Sequence, residues 1–240
     1  MREIGEGKYL AFLSVVKILM ERPFVFINSA MSADGKISSY LHQQVRISGR
    51  EDRDRVALLR AESDAVMVGV GTVLADDPGL RVKAPHLRRG RSDRGLPEEP
   101  LRVVVDSRGR TPPSAEVLGE GCIIAVSRAA PEERLAPLRD ECEIVVAGDE
   151  KVDLSELMSV LKKKGVRRVM VEGGATLNWS LIEAGLVDEI STYIGPLIIG
   201  GTGAPTLVDG SGFSDDYPKL ELLSVEPLEG GVLLRWHFHR

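Results

Sequence analysis

From Pro23 onward, short apolar runs alternate with charged stretches of helical period. Phe24 to Ser29 and Ala65 to Val70 read as strands, and Arg50 to Ala61 between them as a charged amphipathic helix. Leu101 to Asp106, Cys122 to Val126 and Glu143 to Ala147 are further short apolar runs. Leu154 to Lys164 and Leu177 to Ala184 carry helical spacing, and between them an apolar strand runs from Val166 into Glu172. This alternation predicts an α/β fold with a largely parallel central sheet flanked by helices. At the end the pattern changes. Leu220 to Val225 and Val232 to Phe238, joined across Pro227 to Gly231, predict an antiparallel hairpin closing one sheet edge.

Three segments stand outside the alternation. Lys83 to Pro100, with its RRGRSDRG core, has linker composition and is expected to be a mobile surface loop within one domain. The apolar run Tyr193 to Ile199 suits either a subunit interface or the core. Near the start, Tyr9 to Met20 is too short to span a bilayer, and Lys17 interrupts it; neither an anchor nor a signal peptide is expected. Residues 1–22 therefore read as an N-terminal extension, either an appended helix or not part of the native protein, and 23–240 as a single domain.

Two strand ends carry candidate chemistry. In AVMVGVGTVLADDP, Ala65 to Pro78, an apolar strand runs into two glycines, a hydroxyl and paired acids. This order suits a backbone that approaches a ligand closely and then offers it a hydroxyl and a carboxylate. In VRRVMVEGGATLNWS, Val166 to Ser180, a strand ends in Glu172, then Gly173 and Gly174, and Thr176 opens a helical pattern. A helix start after glycines leaves free N–H groups and a positive dipole end where a phosphate can sit. Neither is a standard fingerprint: Leu74 stands where a dinucleotide turn needs its third glycine, and no P-loop occurs.

Composition narrows the choice of partners. The chain has 240 residues, 43% hydrophobic and 28% charged, with net charge −5. This mild acidity argues against nucleic acid while leaving room for a local basic patch around a phosphorylated small molecule. Cys122 and Cys142 have no C-x-x-C or Cys/His cluster around them and are expected to be buried free thiols. His42, His86, His237 and His239 are scattered, and no metal site is expected.

Five motifs in order, Met31 to Lys36 (MSADGK), Arg60-Ala61, Gly71 to Pro78 (GTVLADDP), Val103 to Ser107 (VVVDS) and Val171 to Asn178 (VEGGATLN), resemble those of the riboflavin-pathway reductases. The similarity runs from about Pro23 to the C-terminus. It implies a dihydrofolate-reductase-like fold, NADPH as cofactor (NADH remaining possible) and no metal. The implied reaction reduces the ribosyl group of 2,5-diamino-6-ribosylamino-4(3H)-pyrimidinone 5′-phosphate to a ribitylamino chain. By resemblance, Thr72, Asp76, Asp106, Ser107, Arg108, Gly109 and the segment Gly173, Gly174, Ala175, Thr176 and Leu177 fall at cofactor contacts. Arg108 or Arg110 is placed to pair with a 2′-phosphate. Arg60, Leu80, Lys83 and Glu172 fall on the substrate side, and Arg46 and Ser48 at the edge between the two ligands, where bacterial members often carry an aromatic.

Asp76 and Glu172 are the candidate proton donors, with solvent as a third source; Asp34 in Asp34-Gly35 is expected to shape a turn. No zinc-deaminase signature (H-x-E with P-C-x-x-C) is present, which favours a stand-alone reductase acting before deamination. Alternatives stay open: the same reaction on the deaminated uracil counterpart, dihydrofolate reduction, or a non-catalytic nucleotide-binding module. The resemblance further implies a cytoplasmic homodimer, with no membrane or nucleic-acid partner.

Overall fold

The computed structural model describes residues 22–239, so the apolar run Tyr9 to Met20 lies outside the described residues. Within them, nine strands form one sheet in the order β5-β4-β3-β2-β6-β1-β7-β9-β8. These are β1 (Phe24–Ser32), β2 (Ala65–Gly69), β3 (Leu101–Val105), β4 (Cys122–Val126), β5 (Glu143–Val146), β6 (Arg168–Val171), β7 (Glu189–Gly195), β8 (Leu220–Leu228) and β9 (Gly231–Phe238). The pairings from β5 through β7 are parallel, and those of β9 with β7 and β8 antiparallel. The helices are α1 (Arg50–Glu62), α2 (Val70–Asp76), α3 (Pro85–Ser92), the single turn α4 (Glu132–Leu135), α5 (Leu154–Lys163) and α6 (Ala175–Glu183).

Strand alternation divides the core into two layers. Ala65, Met67 and Val103 face Leu157, Met158 and Leu161 of α5 and Leu177 and Leu181 of α6. Val66, Val68 and Val104 face the other way, where Val56 and Leu59 of α1 pack with Leu80, Leu135 and Leu138. Because both faces are covered, the central strands are continuously apolar, as parallel strands are. Helix α5 starts where its sequence says it should: the Asp153 side chain accepts the Glu156 N–H at 3.0 Å, the N-cap bond of an Asp before an apolar run.

Helix α1 has no such local cap. Glu229, from the β8–β9 turn, instead accepts the N–H groups of Glu51 (2.8 Å) and Asp52 (3.3 Å). That turn is tighter than the Pro227 to Gly231 connection expected, because the strands extend to Leu228 and Gly231. Only Glu229 and Gly230 remain, with φ of +47° and +79°, as a two-residue hairpin turn requires.

The structure corrects two further expectations. Lys83 to Pro100 is not a mobile loop: it contains α3, and Arg91 within it is 2% exposed. The Arg91 guanidinium donates to the carbonyls of Ala61 (2.9 Å), Ser63 (2.6 Å) and Pro97 (2.8 Å), bolting α3 to the end of α1. Linker-like composition concealed this because an arginine satisfying buried carbonyls looks, in sequence, like a solvated one. The ambiguous run from Tyr193 divides: Tyr193 lies in β7 and is 1% exposed, whereas Ile198 beyond it is 72% exposed. Arg22, grouped above with the extension, forks Asp188 at 2.9 and 3.1 Å and so ties the approach to β1 to the start of β7.

Arg91→Ala would remove the guanidinium donor to the carbonyl of fully buried Ser63, while Ala61 keeps Arg94, and is expected to lower the unfolding free energy by about 1–3 kcal/mol in a urea titration. A loss below about 0.5 kcal/mol, the size of an ordinary surface change, would show that the bolt carries no stability.

Candidate active site

A cleft of about 2150 Å³ opens along the carboxyl ends of β1, β2, β3 and β6, where open parallel sheets bind ligands. Its middle is built by the two glycine turns. They lie side by side because β2 and β6 are neighbours: Gly69 donates its N–H to the Gly173 carbonyl at 2.8 Å. A Cβ on Gly174 would stand 3.2 Å from Thr72 Oγ1, and one on Gly69 would stand 3.4 Å from Leu177 Cβ. A side chain at Gly174 would press on the Thr72 hydroxyl, whereas one at Gly69 would meet Leu177 at ordinary contact distance. The Gly173–Gly174 peptide is cis. Helix α6 begins at Ala175, so the donors of its first turn are presented at the cleft wall with Thr72, Ala175, Thr176 and Leu177.

On the neighbouring wall, Arg60 donates Nε–H and Nη2–H to the two oxygens of Glu172 at 2.6 and 2.7 Å, and Nη1–H to the Arg81 carbonyl at 3.2 Å. Burial works against the Arg60 charge, but the Glu172 carboxylate outweighs it and holds the guanidinium above its ordinary range. The expected phosphate ligand and the expected substrate carboxylate are therefore partners of each other. Lys83 and Arg81 line the same stretch of cleft. Asp76 has no ion pair or side-chain hydrogen bond among the described residues. It is open to solvent by area, yet the concave wall desolvates it enough to push its carboxyl above the usual range.

At the far end, Ser107 lines the cleft and its Oγ accepts the Val152 N–H at 3.0 Å. Arg108 pairs with Glu150 at 2.9 Å, and Arg110 Nε lies 3.7 Å from Asp106 Oδ1. Four of the expected site residues do not line the cleft. Asp106 is fully buried, holding the turn by accepting from Thr111 N (2.7 Å) and Oγ1 (2.9 Å). Leu80 is 2% exposed in the core. Gly109 faces Leu135, whose Cδ2 would be 2.9 Å from an added Cβ. Gly173 also lies behind the wall, and its carbonyl is taken by Gly69. Arg46 and Ser48 do line the cleft.

Two features went unnoticed in the sequence. One is a polar cluster under α1: Arg55 donates to Asp52 (2.9 Å), Ser191 (3.2 Å) and Asn28 (2.8 Å), and Asn28 and Asp52 border the cleft. The available signal was Asn28, a polar residue interrupting the apolar FVFINS strand. The other is the reach of Asp34, which accepts from Ser32 Oγ (2.6 Å) and from the amides of Ile199 (3.0 Å) and Gly200 (2.7 Å). Asp34 thus pins a second loop to the β1 end. Among the described residues no group of His, Cys, Asp or Glu is placed to hold a metal, and no helix is long and apolar enough to cross a membrane. Cys122 is buried and Cys142 half-buried, both as free thiols.

The Ser32 hydroxyl and the Ile199 amide hold the Asp34 carboxyl at about 2, below its ordinary 3.8. A depressed carboxyl contributes its stabilisation above its unfolded value and loses it as pH falls through the folded one. Amide-exchange protection at Ile199 and Gly200 is therefore expected to fall between about pH 4 and about pH 2, and this fall should be absent in Asp34→Asn. The same pH dependence in the Asn variant would disprove the pinning role.

The family described as the RibD C-terminal domain matches residues 23–234. A protein from Archaeoglobus fulgidus named 2,5-diamino-6-ribosylamino-4(3H)-pyrimidinone 5′-phosphate reductase is 50% identical over 221 residues, covering 91% of this chain and all of that relative. One of the same name from Methanothermobacter thermautotrophicus is 49% identical over 84% of this chain and 91% of its own length. Among solved structures, Acinetobacter baumannii RibD (form 2) superposes with TM-score 0.74 at 28% identity, over 95% of this chain and 60% of that one. A pyrimidine reductase-like protein from Corynebacterium diphtheriae shares the fold, with TM-score 0.80 at 20% identity over 92% and 94%. With a family match across nearly all the described residues and half the sequence shared with an archaeal relative along its full length, this chain belongs to the RibD C-terminal domain family.

Proposed function

We propose that this chain is the NADPH-dependent reductase of 2,5-diamino-6-ribosylamino-4(3H)-pyrimidinone 5′-phosphate, working as one domain over 23–240. The supporting observation is the junction of two glycine turns in the middle of the cleft, which leaves bare backbone and a helix start where a pyrophosphate would lie. The volume, about twice the upper end of the roughly 300–1,000 Å³ of a single-ligand pocket, leaves room for two ligands. Thr72, Gly174, Ala175, Thr176, Leu177 and Ser107 would hold the dinucleotide. Arg110, only loosely placed against Asp106, is free to turn toward a 2′-phosphate, whereas Arg108 would first have to leave Glu150.

The bound nicotinamide supplies the hydride. The chain's own task is to hold the open imine form of the substrate with C1′ against it, exclude water and deliver one proton to nitrogen. Of the two candidate donors, Glu172 already has both oxygens engaged by the Arg60 guanidinium. Asp76 is unpaired, and its desolvation favours the protonated form, so it takes the role of acid. The substrate phosphate goes to Lys83 and Arg81. A cytoplasmic homodimer completes the reading, supported by β8, an edge strand whose Leu220, Leu222, Leu223 and Val225 are all exposed.

The test is loss of reduced-nicotinamide absorbance with the diamino substrate, its deaminated counterpart and dihydrofolate. Turnover with the diamino compound is expected. Preference for the deaminated compound would reverse the order of reduction and deamination, and NADPH binding without any turnover would leave only a binding module. Asp76→Asn is expected to lower kcat by roughly 10²-fold or more with melting unchanged. In the parent enzyme kcat should fall as pH rises above the Asp76 titration, because the acid must be protonated. Near-normal turnover of the variant would remove Asp76 from the mechanism.

A further inference from the structure

The chain has two cysteines, and the sheet sets them side by side. Strands β4 and β5 run parallel with Ile123 opposite Glu143 and Ile124 opposite Ile144, so Cys122 and Cys142 take the preceding positions of the same register. Alternation puts Cys122 on the face of Ile124 and Cys142 on the face of Ile144, and all four pack on the layer of Leu135 and Leu138. Register partners on neighbouring strands have Cα atoms about 4.7–4.9 Å apart. A disulfide needs roughly 4.4–6.8 Å between those atoms and Cβ vectors that do not point apart. Shared register and shared face meet both conditions without moving the backbone.

The two thiols differ in a way that orders their chemistry. Cys122 is 2% exposed, whereas Cys142 is half-buried and within reach of a small reagent. Hydrogen bonding between the thiols pushes the Cys122 thiol up and holds the Cys142 thiol below its ordinary range. Burial adds to the first effect; burial and the nearby Glu141 charge oppose the second without cancelling it. The thiol that ionises first is therefore also the one an oxidant can meet. Its place is fixed, because the Leu138 carbonyl accepts both the Cys142 N–H (3.0 Å) and its S–H (3.2 Å).

We propose that Cys122 and Cys142 are a redox pair that closes to a cross-strand disulfide, with Cys142 as the entry thiol and a small-molecule disulfide as the oxidant. The Cys142 thiolate attacks one sulfur of the reagent, whose S–S bond breaks and releases one thiolate. Cys122 then gives up its proton and attacks the Cys142 sulfur of the mixed disulfide, expelling the second. The released thiolates take the two protons the cysteines lost. Two protein thiols are oxidised and one reagent disulfide is reduced to two thiols.

The link would fasten the sheet at the end away from the cleft, since Cys122 opens β4 and Cys142 directly precedes β5. The span it encloses holds α4 and the residues behind the Ser107 to Arg110 turn. Ser127 Oγ donates to the Ser107 carbonyl at 2.8 Å, Arg108 to the Ala129 carbonyl at 3.2 Å, and Arg134 to the Arg108 carbonyl at 3.4 Å. Closing this span restricts the unfolded chain and so raises the melting temperature. The inference stands independently of the function proposed above.

The experiment incubates the full chain with oxidised glutathione, blocks the remaining thiols with an alkylating reagent in urea, and measures the masses of the protein and its peptides. Expected is a chain with no alkylated cysteine, no retained glutathione and a peptide joining Cys122 to Cys142. Its melting temperature should stand about 5–10 °C above that of the reduced chain and return on adding dithiothreitol. Cys122→Ala should stop at one glutathione adduct on Cys142, and Cys142→Ala should form neither adduct nor link while folded. Two alkylated cysteines after oxidation, an adduct on each cysteine, a link between two chains, or a link that forms only in urea overturns the inference. So does a link that leaves the melting temperature unchanged or lowers it. If either variant fails to fold, the mass and melting shift of the parent protein decide alone.

Discussion

The site depends on the late insertion of β6 between β1 and β2. Parallel strands cannot be joined by a tight turn and need long crossovers, so strands distant in sequence can become neighbours. Here the chain lays down β1, skips a place, builds outward from β2 to β5 and returns to fill the gap. This single step sets the Gly173–Gly174 turn against Gly69 and puts Glu172 within reach of Arg60. One glycine then follows from space: a Cβ on Gly174 would stand 3.2 Å from the Thr72 hydroxyl of the neighbouring turn.

Around this insertion, arginines serve mainly as internal ties. Arg91 fastens α3, Arg102 donates to the carbonyls of Val117 (2.8 Å) and Glu120 (2.7 Å), and Arg22 ties the first strand to the seventh. Arg168 lies 4.3 Å over the Phe26 ring. The planar guanidinium suits such work because its donors are fixed in a fork and remain charged when desolvated. The consequence for function is economy of positive charge. With arginines such as Arg91 and Arg102 committed to internal carbonyls, the positive charge on the cleft walls comes instead from residues such as Lys83, Arg81 and Arg46.

The C-terminal hairpin links fold and site through one residue. Glu229 sits in the tight turn at positive φ and spends its carboxylate on the first amides of α1, the helix that carries both Arg55 and Arg60. Contact with those backbone N–H groups, that of Glu51 first, holds the Glu229 carboxyl below its ordinary range. The edge of the sheet thereby fixes where the helix over the cleft begins.

Apolar periodicity was sufficient to reveal most strands, the helices α1, α5 and α6, the parallel character of the sheet and the final hairpin, because burial on both faces forces continuous apolar runs. The glycine turns were visible too, as glycine pairs at strand ends, and in the second of them Gly173 sits at φ +96° and Gly174 is held close to Thr72. What stayed hidden were relations between distant residues. Neither the Arg91 bolt, the Glu229 cap nor the Asp34 pin has a local signature. Asp106, Leu80 and Gly109 carry the family pattern, yet they lie behind the cleft wall and shape it from there. Local pattern determined the elements of this protein. Which arginine is a ligand, a tie or a positioning arm was decided only when the sheet order brought β6 between β1 and β2, because a charged side chain takes its role from the partner within its reach.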